Sequence, residues 1–246
     1  MTTDQPKLND QGGTPEKLKL SVIIPVYNEV DLLVQAVAQV VAVDLADEII
    51  IVDDGSTDGT KDLYPAVSAM SDAITIYYHE RNKGKGAAVV TGFGKATGDV
   101  FLIQDADLEY DPRDYPALLD PIETGRATVV YGSRLRGGPT KTMFFTHKLG
   151  NQFLTLVTNI LYNTILTDME TCYKVFRAEV VRDMKIRARG FEFEPEVTSK
   201  VLKAGHRIYE VPISYNGREF DEGKKIRPVK DGTRALWALF KYRFVD

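Results

Sequence analysis

The sequence predicts a single α/β domain with a mostly parallel, Rossmann-like sheet flanked by helices. Three observations carry this: short Val- and Ile-rich runs, helical periodicity between them, and polar, acidic turns where the runs end. Leu20–Val26 and Glu48–Val52 are apolar without alternation, as strands covered on both faces are. Between them Leu33, Val37, Val40 and Val41 recur at helical spacing. Ile74–Tyr78 and Val100–Ile103 read as the third and fourth strands around a helix over Gly86–Ala96, and Thr128–Tyr131 as a fifth. A helix from Lys148 to Ile165 follows, then a strand at Tyr173–Phe176, a helix over Glu194–Ala204 and a strand from Arg207 to Tyr215. Asn216–Asp231 reads as a charged, glycine-containing loop before a last helix carrying Leu236-Trp237-Ala238-Leu239-Phe240.

The 246 residues suit one large domain, here residues 20–246, behind a polar tail over residues 1–19. A formal net charge of −4 argues against a nucleic-acid binder, which needs a basic surface. Cys172, the one cysteine, excludes an internal disulfide and reads as a small buried hydrophobe in a reducing compartment. The tail has no apolar core behind a basic start, and Val30–Ala46 is interrupted by Asp31, Gln35, Gln39 and Asp44. Neither a leader nor a membrane span is expected, and a cytoplasmic location is. His79, His147 and His206 are isolated, so no zinc site is suggested.

In an open parallel sheet, ligands sit beyond the carboxyl ends of the strands. The first strand ends in Pro25-Val26-Tyr27-Asn28-Glu29, the second in Asp53-Asp54-Gly55-Ser56 and the fourth in Gln104-Asp105-Ala106-Asp107. One such end alone is an ordinary Asx turn, but three on one rim point to a ligand. Asp53, Asp54, Asp105 and Asp107, with Glu109, would repel one another in a dry cleft unless a divalent cation sat among them. Mg²⁺ or Mn²⁺ suits such oxygen ligands and shares them with substrate phosphates. Asp105 and Asp107, two apart in an extended segment, are expected on one side, one toward a nucleotide and one toward the metal. No Gly-x-Gly-x-x-Gly opens the first helix, which sets a dinucleotide dehydrogenase aside.

Taken together, Ser21-Val22-Ile23-Ile24-Pro25-Val26-Tyr27-Asn28-Glu29, Val52-Asp53-Asp54-Gly55-Ser56-Thr57-Asp58-Gly59-Thr60, Arg81-Asn82-Lys83-Gly84-Lys85-Gly86-Ala87-Ala88 and Asp105-Ala106-Asp107 resemble the signature of family 2 inverting glycosyltransferases. The resemblance runs from Leu20 to Arg243 and implies a GT-A fold, a nucleotide-sugar donor and a Mg²⁺ or Mn²⁺ cofactor. Within the family, Gln104-Asp105-Ala106-Asp107-Leu108-Glu109-Tyr110-Asp111-Pro112 and Tyr131-Gly132-Ser133-Arg134 are most similar to polyprenyl-phosphate (dolichol-phosphate) mannose and glucose synthases. This implies that Pro25, Tyr27, Glu29 and Asp53 line the base and ribose pocket, with Asp54 and Lys85 beside them. It implies that Asp105 contacts the nucleotide, that Asp107 and Glu109 hold the metal, and that Arg134 is the basic residue following. Residues 20–131 then form the donor half and 132–246 the acceptor half. Asp168-Met169-Glu170-Thr171 stands where these synthases carry an acidic acceptor-side segment, and Tyr215-Asn216-Gly217-Arg218 with Glu222-Gly223-Lys224-Lys225 resembles their phosphate-gripping loop.

The acceptor decides what else the chemistry needs. A phosphate monoester is already an anion and needs cations, for which Arg134, Lys148, Arg218, Lys224 and Lys225 are candidates. A sugar hydroxyl needs a carboxylate base, for which Asp168, Glu170, Glu192 and Glu194 are candidates. A binding module without catalysis is a third reading, against which the intact acidic motifs weigh. Leu149, Phe153, Leu156, Val157, Ile160 and Leu161 form a stripe expected to face the core, while Phe144-Phe145 among Lys141, His147 and Lys148 raises contact with a membrane surface or an anchoring partner.

Overall fold

The computed structural model describes residues 18–141, 144–217 and 228–245; all but the last two residues of the tail expected over 1–19, and the cations Arg218, Lys224 and Lys225, lie outside them. The first half alternates strands and helices: β1 (Leu20–Val26), α1 (Leu33–Val43), β2 (Glu48–Asp53), α2 (Tyr64–Ser68), β3 (Ile74–Tyr78), α3 (Lys85–Lys95), β4 (Val100–Ile103), α4 (Tyr115–Glu123) and β5 (Val129–Ser133). The second half adds α5 (Phe145–Tyr162), β6 (Lys174–Arg177), α6 (Ala178–Val181), α7 (Phe193–Lys203), β7 (Ile208–Pro212) and α8 (Pro228–Phe244).

The strands form one sheet in the order β3-β2-β1-β4-β6-β5-β7. β1 pairs in parallel with β2 and β4, β2 with β3, and β5 with β7, while β6 runs antiparallel to both of its neighbours. The chain builds outward from β1 to β3 and then returns to place β4 on the other side of β1. That reversal opens a crevice at the carboxyl ends of β1 and β4. Val22, Ile23, Ile24, Ile50, Ile51, Val52, Phe101 and Leu102 are all buried, which explains runs without alternation.

The sequence reading departs from the structure at several points. α2, α4 and α6 had no clear signal; α4 carries Pro116 in its first turn and Pro121 inside, which masks its helical pattern. α5 stops at Tyr162 rather than Ile165, because Asn163 takes a left-handed conformation (φ 49°). β7 is shorter than Arg207–Tyr215, and α8 begins at Pro228, inside the segment expected to be a loop. The largest correction concerns the α5 stripe. Leu154, Thr155 and Thr158 face inward, while Leu149, Phe153, Leu156 and Ile160 are exposed. Leu154 packs with Met169, Ala235 and Leu239 in a small cluster of its own, which joins α5 to α8 apart from the main core.

Candidate active site

The strand ends meet as expected, but their carboxylates divide the work. At the end of β1, Asn28 adopts φ 52°, a conformation asparagine tolerates, and its side chain accepts a bond from the Thr57 amide at 2.8 Å. The Asn28 amide donates to Ser56 Oγ at 3.0 Å and the Glu29 amide to Thr60 Oγ1 at 2.9 Å, so the β1 and β2 turns clip each other. Asp53 is fully buried: Oδ1 accepts the Gly55 and Ser56 amides, and Oδ2 accepts the Tyr64 hydroxyl at 2.6 Å. It is not among the residues that line the cavity described below. These donors occupy three of the four lone-pair directions of its carboxylate.

Asp54 reaches the other way. Its carboxylate accepts the Lys83 amide at 2.9 Å and the Gly84 amide at 2.6 Å, and lies 2.6 Å from His79 Nδ1. His79 Nε2 lies 2.9 Å from Thr91 Oγ1, so this histidine bridges loop and helix. Gly84 has φ 98° and a Cβ there would collide with the Arg189 carbonyl, which is why only glycine suits the turn into α3. The same turn sets Lys85, whose Nζ lies 2.9 Å from Asp105 Oδ2 and 3.4 Å from Glu194 Oε1. Burial works against its charge, but Asp105 and its other neighbours outweigh that and hold its pKa well above the ordinary lysine value.

Beyond β4 the chain turns at Ala106–Asp107 instead of staying extended. Gln104 holds this turn: it donates to the Asp105 carbonyl at 2.9 Å and accepts the hydroxyls of Tyr115 and Tyr173. Asp107 Oδ1 accepts the Glu109 amide at 3.1 Å, and Leu108 between them has φ 59°, an uncommon conformation for a side-chain-bearing residue. The tight turn, rather than a two-residue period, brings Asp105, Asp107 and Glu109 to one cavity.

That cavity, of about 750 Å³, is lined at one end by Pro25, Tyr27, Glu29, Asp54, Lys85, Asp105, Asp107 and Glu109. At its other end stand Phe144, Phe153, Leu154, Ala235 and Leu236, between α5 and α8. Arg134 lines it too. Its guanidinium makes a two-pronged pair with Asp168 (Nε–Oδ2 and Nη2–Oδ1, each 2.7 Å), and its amide donates to the same carboxylate at 3.0 Å. Asn151 Nδ2 donates to Asp168 Oδ1 at 2.7 Å, and the guanidinium lies 5.2 Å from the Tyr215 ring centre. Tyr215 in turn donates its hydroxyl to Glu109 at 2.9 Å. A continuous chain of contacts, Glu109–Tyr215–Arg134–Asp168–Asn151, therefore ties the acidic end to α5. Lys148 is exposed and does not line the cavity.

Asp168 is 0 % exposed. Burial pushes its pKa up, but Arg134 and Asn151 outweigh that and hold it below the usual carboxylate range. A carboxylate so committed to the Arg134 guanidinium is a poor base. Glu170 and Glu194 also line the cavity, and Glu170 Oε1 and Glu194 Oε2 are sealed without a hydrogen-bond partner. Burial, and next the Glu194 charge, push the Glu170 pKa up to about 8. Lys174 beside them is buried, donates to the Met169 and Thr171 carbonyls and lies 4.5 Å from the Tyr131 ring centre. Glu192 is not on this cavity. Cys172 is, but burial and then Asp105 push its thiol up, which makes it an inert wall rather than a nucleophile.

Among the described residues no three His, Cys, Asp or Glu side chains are grouped to cage a metal by themselves. Asp107 and Glu109 instead offer an all-oxygen, two-carboxylate donor set on an open cavity, which fits Mg²⁺ or Mn²⁺ sharing its coordination with a substrate diphosphate. Residues 21–185 match the model of Glycosyl transferase family 2. The chain belongs to this family. The transferase is 30% identical over 214 residues to an undecaprenyl-phosphate mannosyltransferase of Micrococcus luteus, covering 84% of this chain and 87% of that one. It is 30% identical over 231 residues to a dolichol-phosphate mannosyltransferase of Pyrococcus furiosus, covering 92% of this chain but only 64% of that protein's length. Its fold matches a crystal structure of glucosyl-3-phosphoglycerate synthase from Mycobacterium tuberculosis in complex with Mn²⁺, uridine diphosphate and phosphoglyceric acid. That match has a TM-score of 0.70 at 19% identity, covering 93% of this chain and 80% of that one, and establishes the GT-A architecture.

Gln104, Asn151, His79 and Tyr215 position the transferase's site, and sequence reasoning gave none of them that role. Asn151 carries a detectable signal: it is polar on the inward side of an apolar helix, three residues before Leu154. Glu170 has a testable consequence. The folded chain holds its proton up to about 8, against 4.5 for an ordinary glutamate, so the folded state carries the extra proton in that window and stability falls as pH rises through it. Glu170→Gln, which cannot ionise, is expected to match the parent near pH ~4.5 and to exceed it by on the order of 5 kcal/mol above pH ~8. Denaturant unfolding of both proteins across this range checks it; identical pH slopes would show that Glu170 does not titrate this way.

Proposed function

We propose that this transferase moves a hexose, with inversion, from a nucleotide sugar (GDP-mannose or UDP-glucose) to a polyprenyl phosphate at the inner face of a membrane, with Mg²⁺ or Mn²⁺ held by Asp107 and Glu109. The carrying observation is the two-sided cavity, acidic and polar where the β1 and β4 strand ends meet, apolar between α5 and α8, with the immobilised Arg134 on its wall. A donor with a diphosphate suits the first end, and a lipid phosphate suits the second. The relatives named above, whose names specify undecaprenyl and dolichol phosphates, support the acceptor class.

In this reading Pro25, Tyr27 and Glu29 line the nucleotide pocket, and Asp105, held by Lys85 and Gln104, meets the nucleotide. A bound metal supplies Lewis-acid neutralisation of the diphosphate leaving group. Arg134, oriented by Asp168, offers a fixed cation to the phosphates, and Arg218 and Lys224, outside the described residues, belong to the same phosphate-gripping role. The acceptor phosphate attacks as an anion, so no proton has to be removed. The carboxylates agree with this: Asp168 is committed to Arg134, Glu170 retains its proton near neutral pH, and Glu194 lies 3.4 Å from Lys85. None is poised as the base that a sugar hydroxyl requires.

The test supplies labelled GDP-mannose or UDP-glucose, with Mg²⁺ or Mn²⁺, to either a short-chain polyprenyl phosphate or free oligosaccharides. Label is expected in the polyprenyl phosphate with one of the donors. Label moving only into the oligosaccharides overturns the lipid acceptor and leaves the transferase assignment standing.

A further inference from the structure

A second groove lies on the far side of the Asn82–Gly84 loop. It has a volume of about 610 Å³ and is lined by Lys83, Arg187, Arg189, Arg234 and Lys241, with Glu192 the carboxylate among its lining residues. On a chain of net charge −4, five cations at one groove reverse the overall sign. Glu192 accepts the Arg189 and Gly190 amides, each at 3.2 Å, so its carboxylate is partly committed to the loop. Asn82, Gly84 and Gly190 line both this groove and the donor cavity, so the two share a wall.

Helix α8 separates the two openings. Ala235 and Leu236 line the donor cavity, whereas Arg234, Trp237, Ala238 and Lys241 line the groove. Trp237 is 70% exposed and Phe244 76%, with Phe240 exposed between them, so α8 carries aromatic residues at positions i, i+3 and i+7 on its outer side. α5, packed against α8, exposes Leu149, Leu156 and Ile160, the last at 72%. Water is a poor solvent for large apolar side chains, so two adjoining helices that present such residues outward point to a surface that covers them.

We infer that α5 and α8 lie on an anionic lipid surface and that the cationic groove holds a lipid headgroup phosphate. Charge complementarity selects this occupant: the groove supplies cations in a concave site, and exposed Trp237 on its wall, with Phe240 and Phe244 on the same helix, suits the headgroup level of a bilayer. A free anion would use the cations and leave the aromatic residues unexplained. With α8 against the lipid, the donor cavity's apolar end opens toward the acyl region. The inference rests on the proposed lipid acceptor for the purpose of this face, but not for its measurement.

The experiment is flotation or sedimentation of the full chain with phosphatidylcholine vesicles, with and without phosphatidylglycerol, in the absence of donor and acceptor. Binding is expected to rise at least ~10-fold with phosphatidylglycerol. Arg234→Gln with Lys241→Gln is expected to lower it by roughly 20–30-fold, since each cation near an anionic surface contributes about 1 kcal/mol. Trp237→Ala lowers binding to both kinds of vesicle. The charge-matched control is Lys95→Gln with Arg126→Gln, on other parts of the surface, and circular dichroism melting establishes that every variant folds. Equal binding to both vesicle types overturns the headgroup, and equal losses in the double variant and the control overturn the groove. Inorganic phosphate at millimolar concentration displaces the protein only weakly if the aromatic face contributes; complete displacement by phosphate alone shows an anion site without a lipid surface and overturns the inference. Because no transfer is measured, a failure here is distinct from a failure of the polyprenyl-phosphate acceptor.

Discussion

Asp107→Ala is expected to lower kcat/KM by on the order of 10³-fold and to remove the dependence of donor binding on divalent metal. Asp107 lies on the cavity wall beside Glu109, and its turn is set by its own bond to the Glu109 amide. On the proposed reading the variant loses one of two metal ligands and part of the geometry that presents the other. A ligand that binds only the folded state raises its stability by about 2.7 kcal/mol at about a hundred times its Kd. The parent should show a stabilisation of that order with nucleoside diphosphate plus Mn²⁺, and Asp107→Ala should show little more with the metal than without it. Initial rates with Mg²⁺ and Mn²⁺, and thermal shifts with each component alone and together, separate the two effects. Near-parental turnover of Asp107→Ala with saturating Mg²⁺ would sink the assignment of the metal site.

Asp168→Ala is expected to be the most destabilising single change in the site. It leaves the Arg134 guanidinium buried and unpaired, a change that costs about 3–5 kcal/mol. For a chain of this size, about 1 kcal/mol moves Tm by roughly 2–4 °C, so a fall of roughly 6–20 °C is expected. Asp168→Asn keeps the shape and part of the hydrogen bonding, so its fall is smaller, and the acceptor KM should rise more than kcat drops. Replacing both partners with apolar residues, Arg134→Met with Asp168→Leu, should recover most of the stability and none of the transfer. This pattern distinguishes a positioning residue from a base. If Asp168→Asn melted with the parent and yet lost turnover ~10²-fold at unchanged KM, Asp168 would be the base and the acceptor a hydroxyl.

The donor half was legible because its information is local. A buried parallel strand needs an unbroken apolar run, and Leu20–Val26, Glu48–Asp53 and Val100–Ile103 each display one that ends in polar residues. The rule that ligands gather at those ends places Tyr27, Glu29, Asp54, Asp105 and Asp107 on one rim, and all five line the cavity. Asp53 shows the limit of this reasoning. It stands beside Asp54 in the same motif, yet it closes its own turn and accepts the Tyr64 hydroxyl, while Asp54 reaches over to the Lys83–Gly84 loop. Nothing in a pair of adjacent aspartates says which one faces the cavity.

The sequence by itself determined the α/β class, the rim of acidic strand ends and the family. Each depends on short-range periodicity or on residues within one turn of each other. The tertiary structure alone decided that Asp168 holds Arg134, a pair 34 residues apart, and that Tyr215 links Glu109 to the same arginine across 106 residues. It also decided which side of α5 is covered. Helical periodicity says that an apolar stripe exists, but only the packing of α5 on α8 through Leu154, Met169, Ala235 and Leu239 shows that Leu149, Leu156 and Ile160 face the other way. The physical reason is the same in every case. Burial, pairing and exposure are properties of neighbours brought together by the fold, and no residue carries them alone.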